Sequence, residues 1–123
     1  RPGRHVEVTP DNLILAALAA FVAWRIYGVW NARRRIPEYL ARGAQVVDVR
    51  SAAEFAAGHA SGSVNVPLPE IDQRAGELDR SRPVIACCAS GTRSAMAARR
   101  LKRLGFADVL NGGSWRNLPP GPG

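Results

Sequence analysis

The sequence predicts an α/β fold in which a parallel sheet carries helices on both faces and is preceded by a separate hydrophobic helix. Between residues 37 and 118, short apolar runs typical of buried parallel strands alternate with helical stretches. Upstream, residues 13–30 are apolar apart from Arg25. The length of 123 residues favours one domain with a modest core.

The hydrophobic stretch, LILAALAAFVAWRIYGVW at residues 13–30, predicts a helix without a polar face. At 1.5 Å per residue it extends about 27 Å, near the thickness of a bilayer core. Trp24, Tyr27 and Trp30 suit a membrane interface. We therefore predict a transmembrane helix that contacts membrane lipid, after an N-terminal tail at residues 1–12. A helix docked on the domain or on a partner is the alternative.

The charge of the chain is basic, with 17 Lys and Arg against 10 Asp and Glu and a net charge of +7. Arg33, Arg34 and Arg35 directly follow the apolar stretch and predict a basic juxtamembrane linker at residues 31–36. Under the positive-inside rule, the C-terminal domain of this single-pass protein then faces the cytoplasm. No RNA- or DNA-binding signature accompanies the charges, so no nucleic-acid partner is predicted.

The two cysteines, Cys87 and Cys88, are adjacent in sequence. A disulfide framework needs cysteines spread along the chain, so the pair does not indicate a disulfide-stapled secreted domain. With two histidines and no spaced Cys/His cluster, the sequence predicts no metal site. No cofactor is predicted either.

The domain at residues 37–118 divides into seven predicted elements. Strands are predicted at residues 45–49, 64–66, 83–87 and 107–110, and helices at residues 51–57, 70–78 and 93–104. Ser51 and Glu54 have the spacing of a capping box at the start of the first of these helices. Residues 119–123 contain only Pro and Gly and are predicted to be disordered. In parallel sheets, ligands bind at the carboxyl ends of the strands.

One loop lies at such a strand end. The strand PVIAC leads into Cys88, which is followed by a loop of small residues and then by a helix; the loop residues are Ala89, Ser90, Gly91, Thr92, Arg93 and Ser94. Gly91 permits unusual backbone angles, so successive N–H groups can form an anion nest beside the positive end of the helix. That field stabilises a thiolate, and Arg93 adds a cation. The alternative is a structural cysteine beside a surface arginine.

Three ordered motifs resemble the rhodanese family. Residues 48–68, DVRSAAEFAAGHASGSVNVPL, match its upstream signature, residues 88–94, CASGTRS, match its active-site loop, and residues 109–115, VLNGGSW, match its closing region. The resemblance covers residues 37–118 and implies a five-stranded parallel sheet. It also implies a sulfurtransferase that accepts sulfane sulfur, for example from thiosulfate, as a persulfide. The acceptor would be cyanide, a thiol or a protein.

By resemblance, Cys88 is the nucleophile, Arg93 acts beside it, and residues 89–94 surround the persulfide. Four further residues are expected to support the loop: Asp48, Arg50, Glu54 and His59. Their work is expected to be structural, with an Arg50–Glu54 ion pair compatible with the spacing and His59 fixing the loop. Ala89 departs from the family pattern, in which many members carry a larger side chain, so thiosulfate is expected to bind weakly.

Two other functions remain open. A cysteine-dependent phosphatase or arsenate reductase places five residues between its thiolate and its arginine, and the spacing from Cys87 to Arg93 fits that count. The spacing from Cys88 to Arg93 has four intervening residues and fits the sulfurtransferase. Ala86 stands where the phosphatase pattern expects a histidine. The other alternative is a non-catalytic membrane adaptor, against which the presence of both Cys88 and Arg93 argues.

Overall fold

The computed structural model describes residue 3 and residues 7–120 of the chain. Its helices are α1 (Pro10–Ala41), α2 (Ala52–Ala57), α3 (Ile71–Arg74) and α4 (Thr92–Arg103), and its strands are β1 (Gln45–Asp48), β2 (Val64–Asn65), β3 (Val84–Cys88) and β4 (Val109–Ser114). Short 3-10 turns lie at Leu68–Glu70, Ala75–Glu77 and Trp115–Asn117. The predicted helix at 70–78 is thus a single α-helical turn flanked by two of these turns.

The sheet is parallel throughout and has the strand order β2-β1-β3-β4. The expected α/β class is confirmed, but the sheet has four strands, and the expectation of five is wrong. Across residues 7–120, the chain before β1 is helical and the chain after β4 turns at Trp115–Asn117. Pro120 makes only an isolated antiparallel bridge to Ala60. A proline lacks the backbone N–H that a strand ladder requires, which limits this pairing.

Apolar side chains cover both faces of the sheet, as the continuous apolar runs of its strands predicted. One face packs against α3 and α4 and contains Val47, Val84, Ile71, Leu101 and Phe106 among its buried residues. The other face packs against the end of α1 and contains Val46, Ile85, Leu110, Ile36 and Tyr39. Successive residues of a strand point to opposite faces, so Cys87 lies in the α1 layer and Cys88 in the α4 layer.

The hydrophobic helix is not separate from the domain. Helix α1 is continuous from Pro10 to Ala41, begins at the capping residue Thr9, and includes residues 31–36, which were predicted as a linker. Ala32, Ile36 and Tyr39 recur at helical spacing and are buried, whereas the large apolar side chains of residues 13–30 are exposed. Although Pro37 lies inside this stretch and disfavours a helix interior, Ala and Arg are strong helix formers and the sheet covers one face, so the helix continues into the domain.

The predicted tails coincide only partly with the described residues. Residues 10–12 of the predicted N-terminal tail belong to α1, and the start of the chain, residues 1, 2 and 4–6, lies outside the described part. In the predicted disordered tail, the carbonyl of Pro119 accepts a hydrogen bond from the backbone N–H of Ser61 at 3.4 Å. Residues 121–123 lie outside the description.

Candidate active site

Cys88 is the last residue of β3 and lies at the carboxyl edge of the sheet, where the sequence placed the reactive loop. The loop that follows is closed by Gly91, whose φ of 102° lies in the left-handed region. A Cβ at this position would approach the Cα of Gly113 to 3.3 Å. Both the backbone angle and the space therefore favour glycine. Helix α4 begins directly after it, so its positive end lies beside the thiol.

The sulfur of Cys88 is surrounded by hydrogen-bond donors. The N–H of Gly91 donates to Sγ at 2.9 Å, and the hydroxyl of Ser94 lies 3.3 Å from Sγ. Burial alone raises the pKa of this thiol, but hydrogen bonds from the Ser94 side chain and from the backbone of Ser94, Gly91 and Ser90 outweigh it. The pKa of Cys88 therefore lies below its ordinary value. A lowered pKa increases the thiolate fraction, which is the nucleophilic form.

Cys87 has the opposite environment. Its side chain is fully buried in the α1 layer, and burial raises its pKa far above the ordinary value. Asp48 raises it further. Arg93 extends from α4, on the other face of the sheet. This placement argues against the alternative in which Cys87 and Arg93 form a phosphatase-like site.

Arg93 is paired with Glu54 of α2. Its two terminal nitrogens donate to the two carboxylate oxygens at 2.8 and 3.0 Å. The ion pair, with hydrogen bonds from Ser51, lowers the pKa of Glu54 to about 2. Because this pKa is depressed, the pairing is present above pH 4.5 and is lost only as the pH falls through about 2. At neutral pH the cation expected beside Cys88 is thus largely balanced by a carboxylate.

The Arg50–Glu54 ion pair suggested by spacing is wrong. Arg50 instead binds Asp48 through its Nε at 3.0 Å and its Nη2 at 2.7 Å, and both side chains are buried. Its Nη2 also donates to the carbonyl of Gly58 at 2.7 Å, and its guanidinium lies 4.7 Å from the ring centroid of Trp115. These contacts join the end of β1, the end of α2 and the turn after β4.

Glu54 completes the predicted capping box of α2. The N–H of Glu54 donates to the Ser51 hydroxyl at 3.2 Å, and the N–H of Ser51 donates to the Glu54 carboxylate at 3.3 Å. His59 follows this helix, where its Nδ1 lies 2.8 Å from the carbonyl of Phe55 and its ring stacks on the Phe55 ring at 3.8 Å. These contacts are those of a residue that fixes the loop after α2.

Asn111 is the site residue that the sequence reasoning missed. Its Oδ1 accepts from the Ser94 hydroxyl at 2.7 Å and from the N–H of Gly113 at 3.0 Å, and its Nδ2 donates to the carbonyl of Gly91 at 3.1 Å. The pairing of β3 with β4 shifts by one residue at this point. A polar residue before two glycines in an apolar strand was the available signal, because such a residue needs buried partners.

The Ser94 hydroxyl lies between two acceptors and has one proton to donate. When Cys88 is a thiol, it can donate to Ser94 while Ser94 donates to Asn111. When Cys88 is a thiolate, Ser94 stabilises it by donating its proton to the sulfur instead of to Asn111. Asn111 thus positions the hydroxyl and competes for its proton.

Among the described residues, no cluster of His, Cys, Asp and Glu has the arrangement of a metal site. The donors around Cys88 are backbone N–H groups and a hydroxyl, which stabilise an anion.

The site thus consists of a buried thiol with a lowered pKa at the carboxyl edge of a parallel sheet, followed by a tight loop and the start of a helix. The family model for the rhodanese-like domain matches residues 20–115, and the chain belongs to this family. The resemblance noted in the sequence is thereby confirmed.

Relatives support this assignment. The uncharacterized protein YqhL of Bacillus subtilis is 33% identical over 109 residues, which are 82% of this chain and 86% of YqhL. The thiosulfate sulfurtransferase GlpE of Pseudomonas aeruginosa is 34% identical over 93 residues, covering 72% of this chain and 84% of GlpE. YrkF of Bacillus subtilis is 42% identical over 66 residues, or 54% of this chain, and the chain spans only 36% of that protein.

The fold also matches solved structures. A structure described as "rhodanese with anions from E. coli" superposes with a TM-score of 0.59 at 28% identity, covering 65% of this chain and 99% of that one.

Proposed function

We propose that the protein is a sulfurtransferase that carries sulfur as a persulfide on Cys88. The observation that carries the proposal is the pair of polar contacts of its sulfur, with the N–H of Gly91 at 2.9 Å and the Ser94 hydroxyl at 3.3 Å, together with the lowered pKa of the thiol. GlpE, a thiosulfate sulfurtransferase by name, supports thiosulfate as a donor.

The proposed reaction has two steps. The Cys88 thiolate attacks the outer sulfur of thiosulfate, a sulfur–sulfur bond forms to the protein, and the bond to the inner sulfur breaks to release sulfite. An acceptor such as cyanide then attacks the outer sulfur of the persulfide, which yields thiocyanate and regenerates the thiolate. The charge that appears on the persulfide is stabilised by the loop N–H groups and by the positive end of α4.

The test compares two serine variants in the thiosulfate–cyanide assay. Cys88→Ser should abolish thiocyanate production. Cys87→Ser should keep most of it, although burial of an unpaired hydroxyl costs about 1–3 kcal/mol of stability. Retained activity in Cys88→Ser would reject the proposal. Hydrolysis of an aryl phosphate that depends on Cys87 would support the phosphatase alternative, and an inert wild type would support the adaptor.

We also propose that α1 anchors the protein in a membrane with the domain in the cytoplasm. The helix is long and apolar enough to cross a membrane, and its most apolar stretch is not buried against the domain. The basic block at residues 33–35 follows the apolar part and supports the orientation. Carbonate should fail to extract the protein. A membrane-impermeant maleimide should label Lys102→Cys, which is exposed on α4, only after the cells are lysed. Labelling in intact cells would reverse the orientation.

A further inference from the structure

The direction of α1 relative to the sheet is fixed by three contacts with the region of β4. The Tyr39 hydroxyl donates to Asp108, which lies just before β4. Ile36 packs beside Gly112 within the strand. The Nε of Arg33 donates to the Oδ1 of Asn117, beyond the end of the strand, at 2.9 Å.

From one contact to the next, the residue numbers along α1 decrease while those along the region of β4 increase. Helix α1 therefore runs antiparallel to β4, and hence to every strand of the parallel sheet. The residues that precede Arg33 continue past the carboxyl edge of the sheet. That edge carries the reactive thiol, since Cys88 pairs with Ser114 at the end of β4.

The distance from this edge to the apolar segment is short. At 1.5 Å per residue, Trp30 lies about 5 Å and Trp24 about 14 Å beyond Arg33 along the helix axis. If these aromatic residues lie at the membrane interface, the membrane surface is on the order of 10 Å from the carboxyl edge. Helix α1 is continuous between Trp24 and Arg33, so the α-helical rise sets this spacing.

The space between the edge and the membrane is cationic. Arg33 and Arg34 are exposed on α1, and Arg116 is exposed on the turn after β4. The Arg34 guanidinium lies 4.7 Å from the Trp30 ring centroid, at the start of the apolar segment. A confined space lined by one sign of charge concentrates small ions of the opposite sign. A globular domain of 100 residues has a radius of gyration of about 13 Å, which is too large for a gap of this height.

The geometry points to an active site that faces the membrane surface and admits small anionic sulfur donors while excluding globular protein partners. This inference rests on the proposed membrane anchor and deepens the proposed transfer reaction. The thiol of Cys88 would receive its sulfur from small anions that enter laterally between the domain and the lipid.

The test measures the distance of each edge from the lipid, without reference to activity. The full chain, with both native cysteines replaced by serine, is placed in phosphatidylcholine vesicles that contain a headgroup-labelled acceptor lipid. A donor fluorophore is attached at Ala89→Cys, in the exposed part of the loop, or at Lys102→Cys, about 15 Å away along α4 at the opposite edge. Energy transfer should be several-fold stronger from position 89.

A second measurement tests size exclusion on the same two variants. A small maleimide should label both positions at similar rates, whereas a maleimide carrying a large polymer should label position 89 several-fold more slowly than position 102. Equal energy transfer or equal polymer labelling would overturn the inference and leave the persulfide chemistry intact. A chain that does not float with the vesicles would overturn both the anchor and the inference. If these distances are found but the wild-type chain, with both cysteines present, forms no thiocyanate, the sulfurtransferase is rejected instead.

Discussion

Removal of the Ser94 hydroxyl should shift the pH dependence of the reaction. In the thiolate state this hydroxyl donates to Cys88 Sγ, from which it is separated by 3.3 Å. A hydrogen bond to a charged group contributes about 1.5–3 kcal/mol, and we take the lower value because sulfur is a diffuse acceptor. Since 1.36 kcal/mol corresponds to a factor of ten, Ser94→Ala should reduce the thiolate fraction below the pKa about tenfold.

The assay is the pH profile of kcat/KM for thiosulfate, together with the ultraviolet absorbance of the thiolate. The rising limb of the profile should move to higher pH in Ser94→Ala, and the rate above that limb should recover. Cys87 does not interfere, because burial keeps its pKa far above the ordinary range. Thr92→Ala is the matched control, since within residues 7–120 its hydroxyl makes no hydrogen bond to Sγ. An unchanged profile in Ser94→Ala would refute the assigned role.

Three further predictions concern the surroundings of the site. Arg93→Ala should slow sulfur uptake from thiosulfate more than it lowers stability. Arg93→Lys should restore the rate only partly, because a lysine lacks the planar guanidinium that binds Glu54. Wild-type turnover in Arg93→Ala would contradict this expectation. Glu54→Gln retains a residue suited to the capping box but removes the charge that balances Arg93, so KM for thiosulfate should fall, and a rise would count against the expectation. Gly112→Ala would place a Cβ 2.7 Å from Ile85 Cγ2 and should lower the free energy of unfolding, measured with denaturant, by about 1–3 kcal/mol. Gly76→Ala is the control and should leave the stability unchanged, because a Cβ there would meet nothing within 4 Å. Equal stabilities of the two variants would refute the packing argument.

Local patterns predicted the features that depend on local chemistry. The capping box of α2 and the unusual backbone angles of Gly91 follow from residue type and spacing, and both are present. The number of strands did not follow, because the fifth strand was expected from the family resemblance alone. The residues before β1 form the helix α1 instead of a strand, because the last turns of α1 carry an apolar face that packs against the sheet.

Contacts between segments that are far apart in the sequence could not be predicted from it. Glu54 is four residues from Arg50 and 39 residues from Arg93, so sequence spacing favoured Arg50, which is the wrong partner. Arg50 instead pairs with Asp48, because both side chains are buried at the end of β1. Asn111 was part of a recognised motif, but its contacts to Ser94 and Gly91 depend on how β4 pairs with β3. The direction in which α1 crosses the sheet also depends on a long-range contact, that of Arg33 with Asn117, which the sequence does not reveal.

The most direct test of the central claim is mass spectrometry of the protein after incubation with thiosulfate. Wild type and Cys87→Ser should each gain about 32 Da, the mass of one sulfur, and peptide mapping should locate it on Cys88, the thiol whose pKa is lowered by its hydrogen bonds. Cys88→Ser should gain nothing. A sulfur adduct on Cys87, or one that persists in Cys88→Ser, would contradict the account.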